Sequence, residues 1–189
     1  MGENVRLLQD VCDYAHAEAI PAAILSLDQE KAFDRVEWKF LEKVLVKMGF
    51  GPSFRNWISL LYSSVNSAVI VNGHLTKSFP VSCGVRQGCP LSPLLYVLVA
   101  ETMACRVRAD SHIDGFPLPC SAKRVKISQY ADDTTILVKS DFSIIALFEL
   151  FAAYERASGA RLNLRKCSGL LLGPWRTRLP ELMPVQLRW

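Results

Sequence analysis

The sequence has no C-x-x-C pair and no cluster among its three histidines, so a structural zinc site is not expected. Its six cysteines, Cys12, Cys83, Cys89, Cys105, Cys120 and Cys167, are scattered along the chain. They read as buried, reduced thiols of an intracellular protein. No apolar run is long enough to span a bilayer. The most apolar stretch, "LLYVLVA" from Leu94 to Ala100, stops at Glu101. Met1 to Ala19 is polar and helix-like, unlike a secretory signal. Internal repeats and low-complexity linkers are also missing. The expectation is a soluble chain, or part of something soluble, inside the cell and without a membrane partner.

What is there is the make-up of a folded domain. The 189 residues suffice for one domain with a sizeable core. Half are hydrophobic and 21% are charged, which excludes intrinsic disorder as the dominant state. The net charge of +4 is compatible with a polyanionic partner but too small to demand one.

Helical and strand patterns are mixed along the chain. Val5 to Glu18 reads as a helix, and "AAILSL" (Ala22 to Leu27) as a buried strand ending at Asp28. Val36 to Met48 places Val36, Phe40, Leu41, Val44, Leu45 and Met48 on one helical face, with Gly49 as a stop signal. Phe54 to Tyr62 suggests another helix. "SAVIVNGHLTKSFPV" reads as a hairpin turning at Asn72-Gly73. A Gly/Pro-punctuated loop, "GVRQGCPLSP", precedes an apolar helix from Pro93 to Val107. A second hairpin spans "VKISQYADDTTILVKS", followed by a helix from Ser143 to Ser158 and strand-like pieces to Leu172. The fold class expected is α+β, with helices packed on one face of an antiparallel sheet.

The second hairpin carries adjacent carboxylates, Asp132 and Asp133, where it should turn. Asp is a common turn residue, so a solvated turn is the plain reading. Asp28 could likewise be only a helix cap. Yet a strand end delivering a third carboxylate toward a hairpin-tip pair is what a two-metal phosphoryl-transfer site needs. Mg²⁺ prefers such hard oxygen ligands. Two ions roughly 3.5–4 Å apart would activate a hydroxyl and stabilise a leaving pyrophosphate.

"LDQEKAFDRVEW", then "GVRQGCPLSPLLY", then "QYADDTTIL" resemble, in this order, the reverse transcriptase blocks of non-LTR, LINE-type retrotransposons. "SGARLNLRKCSGLLLG" resembles the next block, and the likeness covers nearly the whole chain. The resemblance implies a polymerase palm, with residues 1–189 forming a partial reverse transcriptase domain: the end of the fingers and most of the palm, without a thumb. It implies RNA-directed DNA synthesis from dNTPs on a primed template, with an RNA template and a DNA primer as partners. Asp28, Asp132 and Asp133 would be the metal carboxylates for two Mg²⁺ ions, with Mn²⁺ as a possible substitute. Of the three, Asp133 would be the least directly engaged.

The same resemblance implies lesser roles. Phe33 would lie beneath the incoming sugar and clash with a 2′-OH. Gln87 would contact the nucleotide or template pair, with Gly84 and Gly88 allowing close backbone approach. Arg86 would meet phosphate, and Lys166 would protonate the departing pyrophosphate. Glu30, Lys31 and Asp34 are assigned no chemistry. Two other readings stay open: a catalytically silent relic or repurposed nucleic-acid-binding module, and a different metal enzyme on a palm-like fold, such as a nucleotide cyclase. The Phe33 spacing and the Gln87 loop fit the cyclase less well. Without the rest of fingers and thumb, the chain alone is expected to polymerise poorly.

Overall fold

The computed structural model describes residues 2–119 and 123–177. Cys120 and the last twelve residues lie outside them. Helix α1 (Gly2–Ala17) leads into strand β1 (Ala22–Leu27), the run of six residues expected from sequence. Helix α2 (Trp38–Lys47) stops before Gly49, whose φ of 81° suits a residue without a Cβ. Helix α3 (Pro52–Tyr62) opens with proline in its first turn, where the missing N–H costs nothing.

Two short ladders follow. Strands β2 (Asn66–Ser67) and β5 (Phe79–Pro80) pair outside β3 (Ile70–Val71) and β4 (His74–Leu75). Asn72 and Gly73 both have positive φ, as a two-residue hairpin turn of the primed type requires. Helix α4 (Ser92–Ala109) is longer at both ends than its apolar pattern suggests. Strand β6 (Phe116–Pro117) pairs with β7 (Arg124–Val125). Strands β8 (Ile127–Tyr130) and β9 (Asp133–Val138) form the second hairpin. Helix α5 (Asp141–Ser158) is capped by the Ser140 side chain, which accepts from the Ser143 N–H. Gly159, at φ 78°, ends it. Strand β10 (Ser168–Leu172) is the last strand described.

The central sheet is antiparallel throughout, in the order β10-β1-β9-β8. Alternation along β1 splits its side chains between two cores. Ala23, Leu25 and Leu27 join Ile136 and Val138 against Met103 and Val107 of α4 and Ile144, Leu147 and Phe151 of α5. This is the helical face that the sequence leads one to expect. Ala22, Ile24, Leu137 and Leu172 point the other way, against Val11 and Ala15 of α1 and Phe116. The opposite face is thus covered too, because β1 is apolar at nearly every position and only Ser26 is exposed. A third core joins Leu41 and Leu45 of α2, Ile58 of α3 and Leu95, Tyr96 and Val99 of α4. Each fully buried leucine contributes roughly 1.5–3 kcal/mol.

Burial of cysteine departs from expectation. Among the described residues only Cys167 is buried; Cys12, Cys83 and Cys89 are half-buried and Cys105 is exposed. Cys105 lies on α4 and can donate to the Glu101 carboxylate one turn earlier, so that face is polar. No helix among the described residues is long and apolar enough to cross a membrane.

Candidate active site at the end of the sheet

Register brings the acidic residues to one end of the sheet. Leu27 pairs with Thr134, so the next residue outward on β1 is Asp28 and the next on β9 is Asp133. Tyr130 pairs with Asp133, leaving Ala131 and Asp132 as the two-residue turn. The pair expected together at the tip is therefore divided: Asp132 sits in the turn, half-buried, while Asp133 opens β9 and is exposed. Ala131 has φ 55°, a left-handed conformation that costs an alanine roughly 1–2 kcal/mol.

Asp28 caps no helix. Glu37 holds the N-cap position of α2, ten residues from β1's end. Instead, the Asp28 backbone is gripped by the segment before β10. Its N–H donates to Cys167 Sγ at 3.4 Å, and its carbonyl accepts from the Asn163 N–H at 2.9 Å. Burial pushes the Cys167 thiol pKa up, so this sulfur stays protonated. Glu30 N–H reaches the Arg161 carbonyl at 2.8 Å, and Gln29 bridges Leu162. Lys166 lies in the same turn, exposed, its N–H bonded to the Asn163 carbonyl. The segment carrying Lys166 is thus hydrogen-bonded to the backbone of Asp28.

The three carboxylates do not form a ready-made cluster. Among the described residues, no group of three or more His, Cys, Asp or Glu side chains is gathered closely enough to hold a metal ion. The register brings the strand ends together without gathering the three carboxylates into such a group. As a donor set they still fit a hard divalent cation, which takes carboxylate oxygens and completes its shell with water and phosphate.

Phe33 lies in the turn after Asp28. Its ring stacks on Tyr96 of α4 with centroids 4.5 Å apart and planes 20° from parallel. The ring is only half-buried, so one side is backed by α4 while part of it faces outward. The hydroxyl of Tyr96 is buried, and desolvation, with help from the charges of Tyr154 and Asp132, pushes its pKa well above the ordinary tyrosine range.

The loop of Arg86, Gln87 and Gly88 is zipped to the Phe33 turn. Val85 N–H donates to the Phe33 carbonyl at 2.8 Å, Gly84 N–H to Val36 at 2.8 Å, and Trp38 Nε1 to the Gly84 carbonyl at 2.8 Å. At Gly84 φ is 92°, and a Cβ would stand 2.8 Å from the Asp34 carbonyl, so this glycine is required for close approach. Gly88, at φ 81°, has open space around it. Gln87 Nε2 donates to the Asp34 carboxylate at 3.3 Å. Arg86 and Gln87 are exposed and line a groove of about 810 Å³ that also contains Asp34, Trp38 and Tyr62. The three aspartates, Phe33 and Lys166 do not line that groove.

Sequence reasoning missed Cys167, Asn163, Tyr96 and the Asp34–Gln87 bond. The first two act on Asp28 from more than 130 residues away, and no local pattern announces such a pairing. Asp34 was assigned no chemistry, and its contacts with Gln87 and with the Cys83 thiol fit a purely structural part.

Comparison with known proteins agrees with the geometry. The family model described as "Reverse transcriptase (RNA-dependent DNA polymerase)" matches residues 3–182. The Transposon TX1 uncharacterized 149 kDa protein of Xenopus laevis is 39% identical over 171 residues, covering 90% of this chain and 13% of that protein. A Pol polyprotein from the type-1 retrotransposable element R2 of Popillia japonica is 26% identical over 167 residues, covering 88% of this chain and 27% of the relative. The chain therefore spans about a quarter or less of the length of these curated relatives. Among solved structures, telomerase from Candida tropicalis superposes with a TM-score of 0.62 at 12% identity, over 90% of this chain and 29% of that one. That likeness bears on the fold alone, which is the polymerase palm type. The sequence blocks, the sheet-end aspartates and the family match agree: the chain belongs to the reverse transcriptase family, among relatives from non-LTR retrotransposons.

Proposed function

We propose that this chain carries the catalytic palm of a LINE-type RNA-directed DNA polymerase, which transfers nucleotides from dNTPs to a primer 3′-OH on an RNA template. The observation that carries the proposal is the register placing Asp28 beside Asp133 with Asp132 in the adjoining turn. Asp28 and Asp132 are the principal carboxylates for two Mg²⁺ ions, or Mn²⁺ in their place, and Asp133 is the more peripheral one. Bound there, the ions would activate the primer hydroxyl and neutralise charge on the leaving pyrophosphate.

The remaining roles belong to protein groups. The Cys167 and Asn163 contacts hold the Asp28 backbone in place. Phe33, backed by Tyr96, presents a ring against which a ribose 2′-OH clashes. Gln87, braced by Asp34, and Gly88 meet the nucleotide or its templating partner. Arg86 meets phosphate. Lys166, on the segment bonded to Asp28, supplies a proton to the departing pyrophosphate. Such a protein acts inside the cell, where template and dNTPs are found.

Primer extension tests this. A longer protein that contains this chain is incubated at low salt with an RNA template, a DNA primer, dNTPs and Mg²⁺, beside its Asp132→Ala variant. The expected result is Mg²⁺-dependent extension that Asp132→Ala abolishes. Binding of primer–template without extension under any divalent ion would favour a nucleic-acid-binding module instead.

A further inference from the structure

Three unpaired polar side-chain atoms from three parts of the fold belong to residues that line one small cavity. Gln29 Nε2, from the residue after Asp28, is buried, and the whole residue is only 8% exposed. Tyr96 Oη, from α4, belongs to a residue 2% exposed. Arg35 Nε, from the turn after Phe33, is the third. None of the three has a hydrogen-bond partner among the described residues. All three residues line the same cavity, together with Tyr154 and Ser158 of α5. A buried polar atom left unpaired costs roughly 1–3 kcal/mol. Three at one place call for a shared partner.

The chemistry selects that partner. The cavity has about 10 Å³ available to a water centre, close to the roughly 10–15 Å³ that a single water needs. An amide N–H and a guanidinium N–H can only donate, so the partner must accept twice. Tyr96 Oη can accept as well as donate, and Tyr154 Oη already gives its proton to the Val99 carbonyl, leaving its lone pairs to accept. Two donors and two acceptors match the four positions of water. An anion is the rival, since it too accepts. It is disfavoured because Arg35 is already paired with Glu30 at 2.9 Å, and because the Asp132 charge acts on the Tyr96 hydroxyl.

We propose that this cavity is a built hydration site, in which one internal water held by Gln29, Tyr96 and Arg35 cross-links the end of β1 to α4. Gln29 adjoins Asp28, and Tyr96 carries the Phe33 ring. The water therefore ties the metal-binding strand end and the sugar-facing ring to one helix. That consequence rests on the polymerase reading; the hydration site does not.

The test is a crystal structure of the 189-residue chain at a resolution that shows ordered solvent, grown with bromide as the only halide. The expected result is one solvent peak within about 2.7–3.2 Å of both Gln29 Nε2 and Tyr96 Oη, without anomalous signal. A bromide signal there, or a dry cavity closed by direct contact among the three side chains, overturns the proposal. In solution, ¹⁷O relaxation dispersion counts long-lived internal waters. The double variant Gln29→Leu, Tyr96→Phe, which keeps an aromatic ring beneath Phe33, should show one fewer than the unmodified chain. An unchanged count in a variant with an unchanged circular dichroism spectrum also overturns it. Both readouts are blind to polymerisation, so failure of the catalytic reading would leave them untouched.

Discussion

The ring of Phe33 lies flat on that of Tyr96, centroids 4.5 Å apart, so the residue that follows Asp28 by five positions is braced by a helix from the far side of the loop. A braced ring discriminates better than a mobile one, because it cannot swing aside for an extra hydroxyl.

Removing that ring should relax sugar selection. In a polymerising protein that contains this chain, Phe33→Ala should lower the ratio of kcat/KM for dNTP over rNTP by roughly 10–200-fold, the range that one small steric difference commands. Tyr96→Ala should act in the same direction but more weakly, by freeing the Phe33 ring. Single-nucleotide incorporation with both sugars measures the ratio. An unchanged ratio for Phe33→Ala would mean that the ring only fills space.

The sheet end should respond to divalent ions without any substrate. Mg²⁺ held by the folded sheet end and not by the unfolded chain should stabilise the fold. At ten times its dissociation constant the gain is about 1.4 kcal/mol, which raises Tm by roughly 3–6 °C for a chain of this size. Asp132→Asn should leave stability without Mg²⁺ equal or slightly higher, and should remove most of the Mg²⁺ response. Thermal melts with Mg²⁺ and with chelator check both halves.

Two glycines of one loop should differ in their tolerance of a methyl group. Gly88→Ala meets open space and loses only the positive-φ preference, about 1–2 kcal/mol. Gly84→Ala adds a clash with the Asp34 carbonyl and should cost roughly 2–5 kcal/mol. Urea unfolding ranks them. Equal losses would show that the Gly84–Asp34 contact yields easily.

The thiols should separate by pH and by access. A hydrogen bond from the Leu91 N–H is the main reason that the Cys89 pKa is lowered. Its thiolate therefore persists to lower pH in the folded chain than in the unfolded one. The pH of half-maximal alkylation at Cys89 should fall on folding. Cys167, fully buried and raised by desolvation, should label only on unfolding. Cys167→Ala removes the acceptor of the Asp28 N–H and should cost roughly 1–3 kcal/mol. Mass spectrometry of labelled peptides across pH reads the first two effects, and denaturation reads the third.

Much of this arrangement is legible in the sequence, and the reasons differ by element. Strand β1 is readable to the residue because six small and branched residues end abruptly in a carboxylate. The Asn72-Gly73 turn is readable because few other pairs accept two positive φ values. The roles given to Asp28, Asp132 and Phe33 are read from the order and spacing of whole blocks. The division of Asp132 from Asp133 is not, because register depends on which residue of the turn takes positive φ, and Ala131 is an unobvious choice. The grip of Cys167 on Asp28 is equally hidden, since a buried cysteine looks like any other small apolar residue until its partner strand is known.

The strand order carries a consequence for synthesis on the ribosome. Strand β1 lies between β9 and β10, and its first possible ladder partner, paired through Leu27 and Thr134, follows more than a hundred residues later. At translation rates of roughly 5–20 residues per second, the "AAILSL" segment waits roughly 5–20 s for its neighbour. During that interval it is an apolar strand with both edges unpaired, the species most prone to wrong association. Helix α1, which precedes it and packs on one of its faces, is the only neighbour made before it among the described elements that can shelter it. The acidic end of the sheet consequently forms late: β9 sets Asp133 beside Asp28, and the segment before β10, made afterwards, fixes the Asp28 backbone through Asn163 and Cys167.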